Sequence, residues 1–332
     1  MIDSDNISLI GGSGFIGSFL LRDLKLTGKK INIFDKKAPM HNENIEFVKG
    51  NILDKRLLEE SIKYSDVLIN LAAEHADNVS PKSLYYDVNV EGSKNICDVA
   101  RNNSINNIIF ISSVAVYGFS SRSLDENSET NPFNDYGITK LEAEKVFIKW
   151  QKEAPQDRKL IIVRPTAVFG INNRGNIFNL INQLRKLSFF MIGNGSNKKS
   201  IAYVENLTAF IKHTLNLKNG CHIFNYVDKP DFSMRKLVYL IKKTLEVDSR
   251  FTIKIPYFIA LFFGYSLDIF GFFFRRKFQI SAIRIKKFCS NSLFETSFKK
   301  IGFEPPYKLE EALEKTILYE FKEKNLNENI KN

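Results

Sequence analysis

Nearly continuous apolar runs, separated by stretches with helical periodicity, form a regular pattern through the first half of the chain. The runs are NISLI, KINIF, IEFV, DVLIN, NIIFI and KLIIV, and they are rich in β-branched residues. Strands of a sheet with one solvated face alternate apolar and polar positions, whereas strands covered on both faces are apolar almost throughout. The pattern predicts an α/β fold built on a doubly wound parallel sheet, which is a Rossmann fold.

This rhythm changes after Pro165. The segment NRGNIFNLINQLRK has a helical pattern, and HIFNYVD has the composition of a strand. We predict that a Rossmann domain spans residues 1–170 and that the strand near residues 222–227 returns to its sheet. Residues 171–332 are predicted to form a smaller, interleaved α/β lobe.

One apolar stretch, Tyr257 to Phe274, is unusual for such a chain, because Asp268 is its one charged residue. Its 18 residues barely reach the ~20 that a membrane span needs, and an Asp in a bilayer costs roughly 3 kcal/mol. Phenylalanines crowd the stretch and cations follow it. These residues are Phe262, Phe263, Phe272, Phe273, Phe274, Arg275, Arg276, Lys277, Arg284, Lys286 and Lys287.

Aromatic bulk beside a basic cluster is typical of a helix that lies on an anionic leaflet. We therefore predict that residues 256–287 face an anionic membrane surface. A helix buried in the core and a true membrane span are the alternatives.

The bulk composition narrows the possible partners. The 332 residues carry a net charge of +11, which suits nucleic acid, an anionic membrane or a phosphorylated substrate. The sequence has no nucleic-acid-binding signature and no metal-ligand spacing, so neither nucleic acid nor a metal is expected. Cys97, Cys221 and Cys289 lie far apart, as reduced thiols of a cytoplasmic protein do, and we find no signal peptide.

A glycine-rich segment predicts a dinucleotide site. ISLIGGSGFIG places Gly11, Gly14 and Gly17 between the first strand and its helix. Glycines there allow a sharp turn and a close approach of pyrophosphate to the backbone at a helix N-terminus. Asp35 ends the second strand, where a carboxylate hydrogen-bonds a ribose hydroxyl and repels a 2′-phosphate. The sequence therefore favours NAD over NADP, although Lys36 follows directly.

A candidate acid/base lies in DYGITK, where Tyr136 and Lys140 are four residues apart and share one face of a helix. Tyrosine has a pKa near 10, so a base at neutral pH needs a shift of about 3 units. One ammonium about 4 Å away supplies roughly that. We predict that Lys140 lowers the pKa of Tyr136, with the cationic nicotinamide of the cofactor helping. Just upstream, Ser112 and Ser113 follow a strand, at the edge where open α/β sheets bind ligands.

These segments occur together in the order and spacing of one family. On GGSGFIG, NLAAEHAD, the Asn89 of YYDVNVEGSKN, ISSVAVYG, YGITK and VRPTAVFG, the whole chain resembles the extended short-chain dehydrogenase/reductases. The resemblance implies that the Rossmann domain binds NAD and that the second lobe binds substrate. It also implies that Ser113 hydrogen-bonds the reacting oxygen, Tyr136 transfers a proton, and Lys140 contacts the ribose and tunes the tyrosine.

The same resemblance implies a set of cofactor-binding residues. At the position of Asn51 the relatives usually have Asp. Asn keeps a hydrogen-bond acceptor for the adenine but lacks the negative charge of Asp. The implied residues are Gly11, Gly14, Phe15, Ile16, Gly17, Asp35, Asn51, Ile52, Leu71, Ala72, Ala73, Tyr136, Lys140 and Pro165.

The reaction follows from what the chain lacks. Sugar dehydratases of this family carry an Asp-Glu pair where this chain has Val114 and Ala115, so dehydration is not expected. NAD preference argues against a free-running reductase. The resemblance therefore implies an isomerase that inverts C4 of a sugar: Tyr136 takes the hydroxyl proton, a hydride passes to NAD, and the transient 4-keto sugar turns over before the hydride returns.

Further segments, among them SLYYDVNVEG, NRGNIFNL and IGNGSNKKSIAYVEN, resemble bacterial epimerases of N-acetylglucosamine attached to undecaprenyl diphosphate. This resemblance implies conversion to N-acetylgalactosamine for O-antigen, lipopolysaccharide or related glycan biosynthesis, at the inner face of the cell membrane. Ser113 then contacts the sugar, and by position Arg174, Asn176 and Lys199 hold the substrate diphosphate.

Alternatives stay open at this point. A UDP-N-acetylglucosamine 4-epimerase shares the fold and the chemistry. A lipid-alcohol or sterol-type dehydrogenase of the family would release NADH, and a cofactor-binding regulator would be inactive. A homodimer is possible, since many relatives pair.

Overall fold

The computed structural model describes residues 6–40, 45–76, 79–120, 122–247, 253–274 and 281–323. The strands are β1 (Asn6–Ile10), β2 (Lys30–Asp35), β3 (Glu46–Lys49), β4 (Val67–Asn70), β5 (Asn107–Ile111), β6 (Lys159–Pro165), β7 (Ala167–Phe169), β8 (Phe190–Ile192), β9 (Lys198–Tyr203), β10 (Gly220–Tyr226), β11 (Asp228–Ser233) and β12 (Ile253–Ile255). The α-helices are α1 (Phe15–Lys25), α2 (Lys55–Ile62), α3 (Ser83–Tyr86), α4 (Gly92–Asn102), α5 (Asp135–Lys152), α6 (Asn176–Arg185), α7 (Val204–Thr214), α8 (Met234–Leu245), α9 (Tyr257–Phe274), α10 (Ala282–Cys289) and α11 (Leu309–Leu318).

Seven parallel strands form the large sheet, in the order β10-β6-β5-β4-β1-β2-β3. The order reverses direction next to β1, which is the arrangement of a doubly wound sheet. β10 pairs with β6 at the edge, so a strand from the second half of the chain completes the sheet. It begins at Gly220, two residues before the stretch predicted from the sequence. Parallel strands place all their carboxyl ends on one edge.

Helices cover both faces of this sheet, as the continuously apolar strands require. On one face α1 and α7 bury leucine and phenylalanine side chains such as Leu20, Leu24 and Phe210. On the other face α2, α4 and α5 bury side chains that include Phe147 and Trp150.

The remaining elements form a smaller lobe with its own core. α6, α8 and α11 pack around β9, and Ile181, Leu237 and Leu313 are fully buried there. Two small sheets, β11-β9-β7 and β12-β8, belong to this lobe. The sequence pattern did not predict these short strands, because the helical segments between them dominate the pattern of apolar residues. The division into two functional domains stays a prediction.

α9 lies on the surface of the lobe and is not a core helix. Its buried residues include Ala260 and Gly264, whereas most of its large apolar side chains are exposed. The exposed side chains are Tyr257, Phe258, Ile259, Phe262, Phe263, Tyr265, Ile269, Phe270, Phe273 and Phe274. Within the described ranges, no helix combines the length and the apolar character that crossing a bilayer requires.

α9 is held to the protein by α10. A Cβ atom on Gly264 would lie 2.7 Å from Cδ1 of Ile285 and 3.0 Å from Cα of Ala282, so the two helices touch at this glycine. Asp268, the one charge of α9, accepts a hydrogen bond of 3.0 Å from the backbone N–H of Ala282 at the start of α10. Lys286 donates to the hydroxyl of Tyr265 at 2.8 Å. We refer to these two helices as the α9–α10 pair.

Replacement of Gly264 tests this packing. Gly264→Val forces its side chain into Ile285 and Ala282, and we expect a loss of about 1–3 kcal/mol in the free energy of unfolding, as overpacking usually costs. Urea denaturation measures the loss. As a control, Ile269→Val on the exposed side of α9, where Ile269 is 61% exposed, should change stability by less than about 0.5 kcal/mol. Equal effects of both variants would contradict the close contact.

Candidate active site

The glycine-rich turn after β1 packs too tightly for side chains at three of its positions, Gly11, Gly12 and Gly17. Gly11 has a φ of +78°, and a Cβ atom there would lie 2.5 Å from the backbone nitrogen of Ala72. A Cβ atom on Gly17 would overlap the carbonyl group of Gly12. The backbone of the turn therefore lies directly against the end of β4 and the start of α1. Gly14, in contrast, is exposed and precedes the first residue of α1.

Asp35 is fixed beside this turn. Its Oδ2 accepts a hydrogen bond of 3.0 Å from the backbone N–H of Ser13, and its Oδ1 accepts one of 3.0 Å from that of Lys37. The hydroxyl of Ser13 is buried and finds no hydrogen-bond partner among the described residues. A buried polar atom without a partner is costly, and a polar ligand satisfies it. The turn therefore fits the pyrophosphate and ribose of a dinucleotide.

The other predicted cofactor residues lie along the same edge of the sheet. Asn51 and Ile52 follow β3, and Asn51 Oδ1 accepts from the backbone of Leu53 at 3.2 Å. Leu71, Ala72 and Ala73 directly follow β4, and Pro165 is the last residue of β6. Phe15 and Ile16 begin α1. The structure thus brings together the predicted residues at the carboxyl ends of β1, β2, β3, β4 and β6, while their contacts to a cofactor stay a prediction.

Ser113 and Tyr136 meet at the carboxyl end of β5. Ser113 Oγ caps the 3₁₀ turn Val114–Tyr117 by accepting from the backbone of Ala115 at 3.1 Å. α5 begins beside this turn: a Cβ atom on Gly137 would lie 2.5 Å from the carbonyl oxygen of Ala115. This close approach brings the buried Tyr136 hydroxyl within hydrogen-bonding reach of the Ser113 side chain. The order Ser113-Tyr136-Lys140 in sequence becomes one cluster in space.

Lys140 is buried one helical turn beyond Tyr136. It is 1% exposed, its Nζ donates a hydrogen bond of 2.6 Å to the carbonyl oxygen of Ile111, and the ammonium lies 4.2 Å from the centre of the Phe110 ring. Burial lowers the pKa of Lys140 to about 7, and the charge of Glu144 opposes that shift.

The structure does not show the predicted effect of Lys140 on Tyr136. Burial raises the pKa of Tyr136, and only the hydrogen bond with Ser113 opposes that shift. Lys140 is not among the groups that lower it, and its Nζ donates to the Ile111 carbonyl. The lowering of this pKa that is expected from Lys140 together with a cationic nicotinamide stays a prediction.

A pocket of about 230 Å³ opens at Tyr136. The rings of Phe119 and Phe133 stack at its wall with centroids 4.2 Å apart. α10 contributes Ile283 and Lys287 from the opposite side, and Lys287 Nζ lies 5.8 Å from the centre of the Phe133 ring. These four residues come from three separate segments of the chain, and no sequence pattern predicted that they would meet.

The predicted diphosphate ligands are less closely grouped with Tyr136. Arg174 forms an ion pair of 3.0 Å with Glu320 and stacks on Phe178 at 4.2 Å. Lys199 donates to the carbonyl oxygens of Lys287 at 2.9 Å and Ser290 at 2.7 Å. Burial lowers the pKa of Lys199 to about 8. Lys199 thereby anchors the end of α10 that lines the pocket.

Asn176 is the first residue of α6, one turn from the segment that carries Arg174. All three assignments to a substrate diphosphate stay predictions. Arg174 and Lys199 would have to exchange protein partners for a ligand.

The sequence of the whole chain is similar to those of known enzymes. The profile of the NAD dependent epimerase/dehydratase family matches residues 7–225. The chain belongs to this family. It is 42% identical over 320 residues, 96% of each chain, to the N-acetyl-alpha-D-glucosaminyl-diphospho-ditrans,octacis-undecaprenol 4-epimerase of Escherichia coli O157:H7. It is 29% identical to the UDP-glucose 4-epimerase of Vibrio cholerae, over 70% of this chain and 74% of that protein.

Solved structures agree on the fold. The UDP-glucuronic acid 4-epimerase from Bacillus cereus, in complex with NAD, superposes with a TM-score of 0.76 at 19% identity, covering 95% of this chain and 98% of that one. The UDP-N-acetylglucosamine 4-epimerase from the same organism gives a TM-score of 0.75 at 17% identity, with 95% and 99% covered. The predicted Rossmann fold and the resemblance to NAD-dependent sugar epimerases are confirmed.

Replacement of Gly17 tests the cofactor site. Gly17→Ala places a methyl group into the Gly12 carbonyl and pushes α1 away from the turn, so we expect NAD to bind at least tenfold more weakly, a loss of about 1.4 kcal/mol. Calorimetric titration with NAD measures the affinity, and circular dichroism checks the fold. Ser18→Ala, at the next and exposed position, should bind NAD like the parent. Unchanged affinity of Gly17→Ala would exclude this turn as the site.

Proposed function

We propose that the protein inverts C4 of N-acetylglucosamine linked to a polyprenyl diphosphate, giving N-acetylgalactosamine, with NAD as its resident cofactor. The observation that carries this proposal is the 42% identity over 96% of both chains to an enzyme named for that substrate. This similarity extends through the α9–α10 pair. A polyprenyl-linked substrate accounts for the exposed apolar side chains of α9, whereas a water-soluble sugar nucleotide does not.

The catalytic cluster suits a reversible oxidation at a hydroxyl carbon. In its phenolate form, which the ammonium of Lys140 and the positive charge of oxidised nicotinamide would favour, Tyr136 takes the proton of the sugar hydroxyl. Ser113, whose side chain lies beside the tyrosine, donates to the same oxygen as charge develops on it. Burial at this position excludes water and strengthens both interactions. Tyr136 returns the proton when the carbonyl is reduced from the other face.

NAD supplies the hydride acceptor that makes such an inversion possible, and it is regenerated in each cycle. The residues that would hold it are those along the carboxyl edge of the sheet, with Ser13 and Asp35 at the ribose and pyrophosphate end. Lys140 would contact the nicotinamide ribose. No net NADH is expected, in contrast to a dehydrogenase of the same family.

We further propose that α9 lies on the anionic leaflet that carries the lipid. Its exposed aromatic side chains, such as Phe258 at 72% and Phe262 at 69% exposure, form an apolar surface larger than a monomeric protein usually presents. Lys286 and Lys287 on the adjoining α10 provide cations beside it. Apolar and cationic groups on one face match the acyl region and the phosphates of an anionic bilayer.

α10 connects this surface to the site. Ala282 and Ile285 pack on α9, while Ile283 and Lys287 line the pocket at Tyr136. A lipid held along α9 would therefore present its diphosphate and sugar to the pocket. The cations Arg275, Arg276 and Lys277, which the sequence analysis assigned to the membrane surface, lie outside the described residues. Pairing of two chains stays a prediction.

The substrate preference is tested by direct comparison. With polyprenyl-diphosphate-linked N-acetylglucosamine we expect the C4-inverted sugar, and with UDP-N-acetylglucosamine at least a hundredfold lower kcat/KM. Chromatography with mass spectrometry identifies the products, and absorbance at 340 nm detects NADH. A preference for the UDP-sugar would replace the lipid-linked proposal by the soluble one, and accumulating NADH would indicate a dehydrogenase.

The role of Tyr136 is tested in the same assay. Tyr136→Phe removes the acid/base while it keeps the ring, and we expect kcat to fall by about 10²–10⁴. Tyr239→Phe, the same change at a tyrosine of α8 that is 54% exposed, serves as the matched control and should retain the activity of the parent. A Tyr136→Phe variant as fast as the parent would remove the proposed mechanism.

The membrane contact is tested with vesicles. In a triple variant, Phe258, Phe262 and Ile269 are replaced by Ser, and each loses roughly 1.5–3 kcal/mol of possible burial. We expect its cosedimentation with anionic phospholipid vesicles to fall at least tenfold. Vesicles of neutral phospholipid should bind the parent less well than anionic ones, because the cations of α10 then have no partner.

A matched control keeps the number and exposure of the replaced residues. Leu26, Met40 and Tyr64 are 84%, 86% and 79% exposed, and their replacement by Ser should leave vesicle binding unchanged. If both triple variants sediment like the parent, α9 does not contact the membrane.

A further inference from the structure

A buried network of charged side chains lies directly beneath the Ser113-Tyr136-Lys140 cluster. Glu144, on the turn of α5 that follows Lys140, is 1% exposed. Its carboxylate accepts hydrogen bonds from Nε and Nη2 of Arg164, at 2.9 and 2.6 Å, and one from the hydroxyl of Ser112. Arg164 is 5% exposed and comes from β6. These contacts fix α5 to the ends of β5 and β6.

The network extends to the edge of the sheet. Nη1 of Arg164 donates to the hydroxyl of Tyr117 at 2.7 Å, and that hydroxyl donates to Oδ1 of Asn225 on β10 at 2.8 Å. Each guanidinium nitrogen of Arg164 and each carboxylate oxygen of Glu144 therefore has a hydrogen-bond partner, as a buried ion pair requires. Burial by itself would lower the pKa of Arg164, and the hydrogen bonds and charge of Glu144 raise it overall.

The surroundings of Lys140 leave Glu144 as the anion that acts on it. From β5 the ammonium meets only the carbonyl of Ile111 and the ring of Phe110. On α5 the ionisable neighbours are Tyr136 and Glu144, and from β6 Arg164 binds Glu144. Two cations and one carboxylate are thus buried together.

We propose that the Glu144–Arg164 pair sets the protonation of Lys140, with Glu144 holding the ammonium charged and Arg164 limiting how strongly it does so. Both are positioning residues that act through Lys140, and neither touches the substrate. The inference rests on the proposed function only in that the ammonium is then required for catalysis. The effect of the pair on the proton affinity of Lys140 is a property of the protein alone and can be measured without substrate.

Replacing Glu144 and replacing Arg164 should shift the pKa of Lys140 in opposite directions. Glu144→Gln leaves two buried cations together, so the pKa of Lys140 should fall by about one unit. Arg164→Met leaves Glu144 to act on Lys140 alone, so that pKa should rise by about one unit. A purely structural pair predicts that both variants destabilise the protein and that the proton affinity of Lys140 does not move in opposite directions.

NMR titration of protein labelled with ¹³C at the lysine ε-carbon measures the pKa of Lys140 without substrate, and Lys140→Met assigns the signal. In the epimerase assay the alkaline limb of kcat/KM should move with it, downward for Glu144→Gln and upward for Arg164→Met. Glu153→Gln removes a carboxylate bound to Arg101 at the far end of α5, and it should leave both readouts unchanged.

Ser112→Ala keeps both charges and serves if the other variants do not fold. Loss of its hydrogen bond leaves more of the Glu144 charge for Lys140, so the pKa should rise by up to about half a unit. No shift in any folded variant, or shifts of the same sign for Glu144→Gln and Arg164→Met, would overturn the inference. If the pKa shifts occur but no epimerase activity is found, the proposed function fails and the assignment to Lys140 stands.

Discussion

The parallel alignment of the strands is the constraint on which the site depends. Because β1, β2, β4, β5 and β6 all run in one direction, their carboxyl ends share an edge. Residues far apart in sequence, such as Ser13 after β1 and Ser113 after β5, thereby lie at the same edge of the sheet. Main-chain polar groups at the ends of the strands need hydrogen-bond partners at that edge. Lys140 provides one by donating to the carbonyl oxygen of Ile111.

Much of this arrangement could be predicted from the sequence because it depends on local patterns. Continuous apolar runs specify covered parallel strands, and the spacing of Gly11, Gly14 and Gly17 specifies a turn that approaches the backbone. The spacing of Tyr136 and Lys140 specifies a shared helix face. Each pattern involves neighbours within a few residues, where chain geometry fixes what can meet. The short strands β7, β8, β11 and β12 carry no such pattern, since their pairing partners are distant.

The electrostatics of the site could not be predicted in the same way. From the spacing alone, Lys140 was expected to act on Tyr136, yet a fixed carbonyl at β5 directs the ammonium elsewhere. Glu144 follows Lys140 at the interval by which Lys140 follows Tyr136, and Arg164 directly follows the apolar run of β6. Both signals were present in the sequence. The role of Glu144 and Arg164 could not be inferred from the sequence, because only the structure shows that the two side chains pair in the interior.

α10 belongs at once to the surface formed with α9 and to the wall of the pocket at Tyr136. A helix of eight residues is about 12 Å long, so the distance from the apolar surface to the reacting hydroxyl is short. Under the proposed function, one helix therefore borders both the lipid and the sugar, and a change in the position of α10 would alter membrane contact and catalysis together.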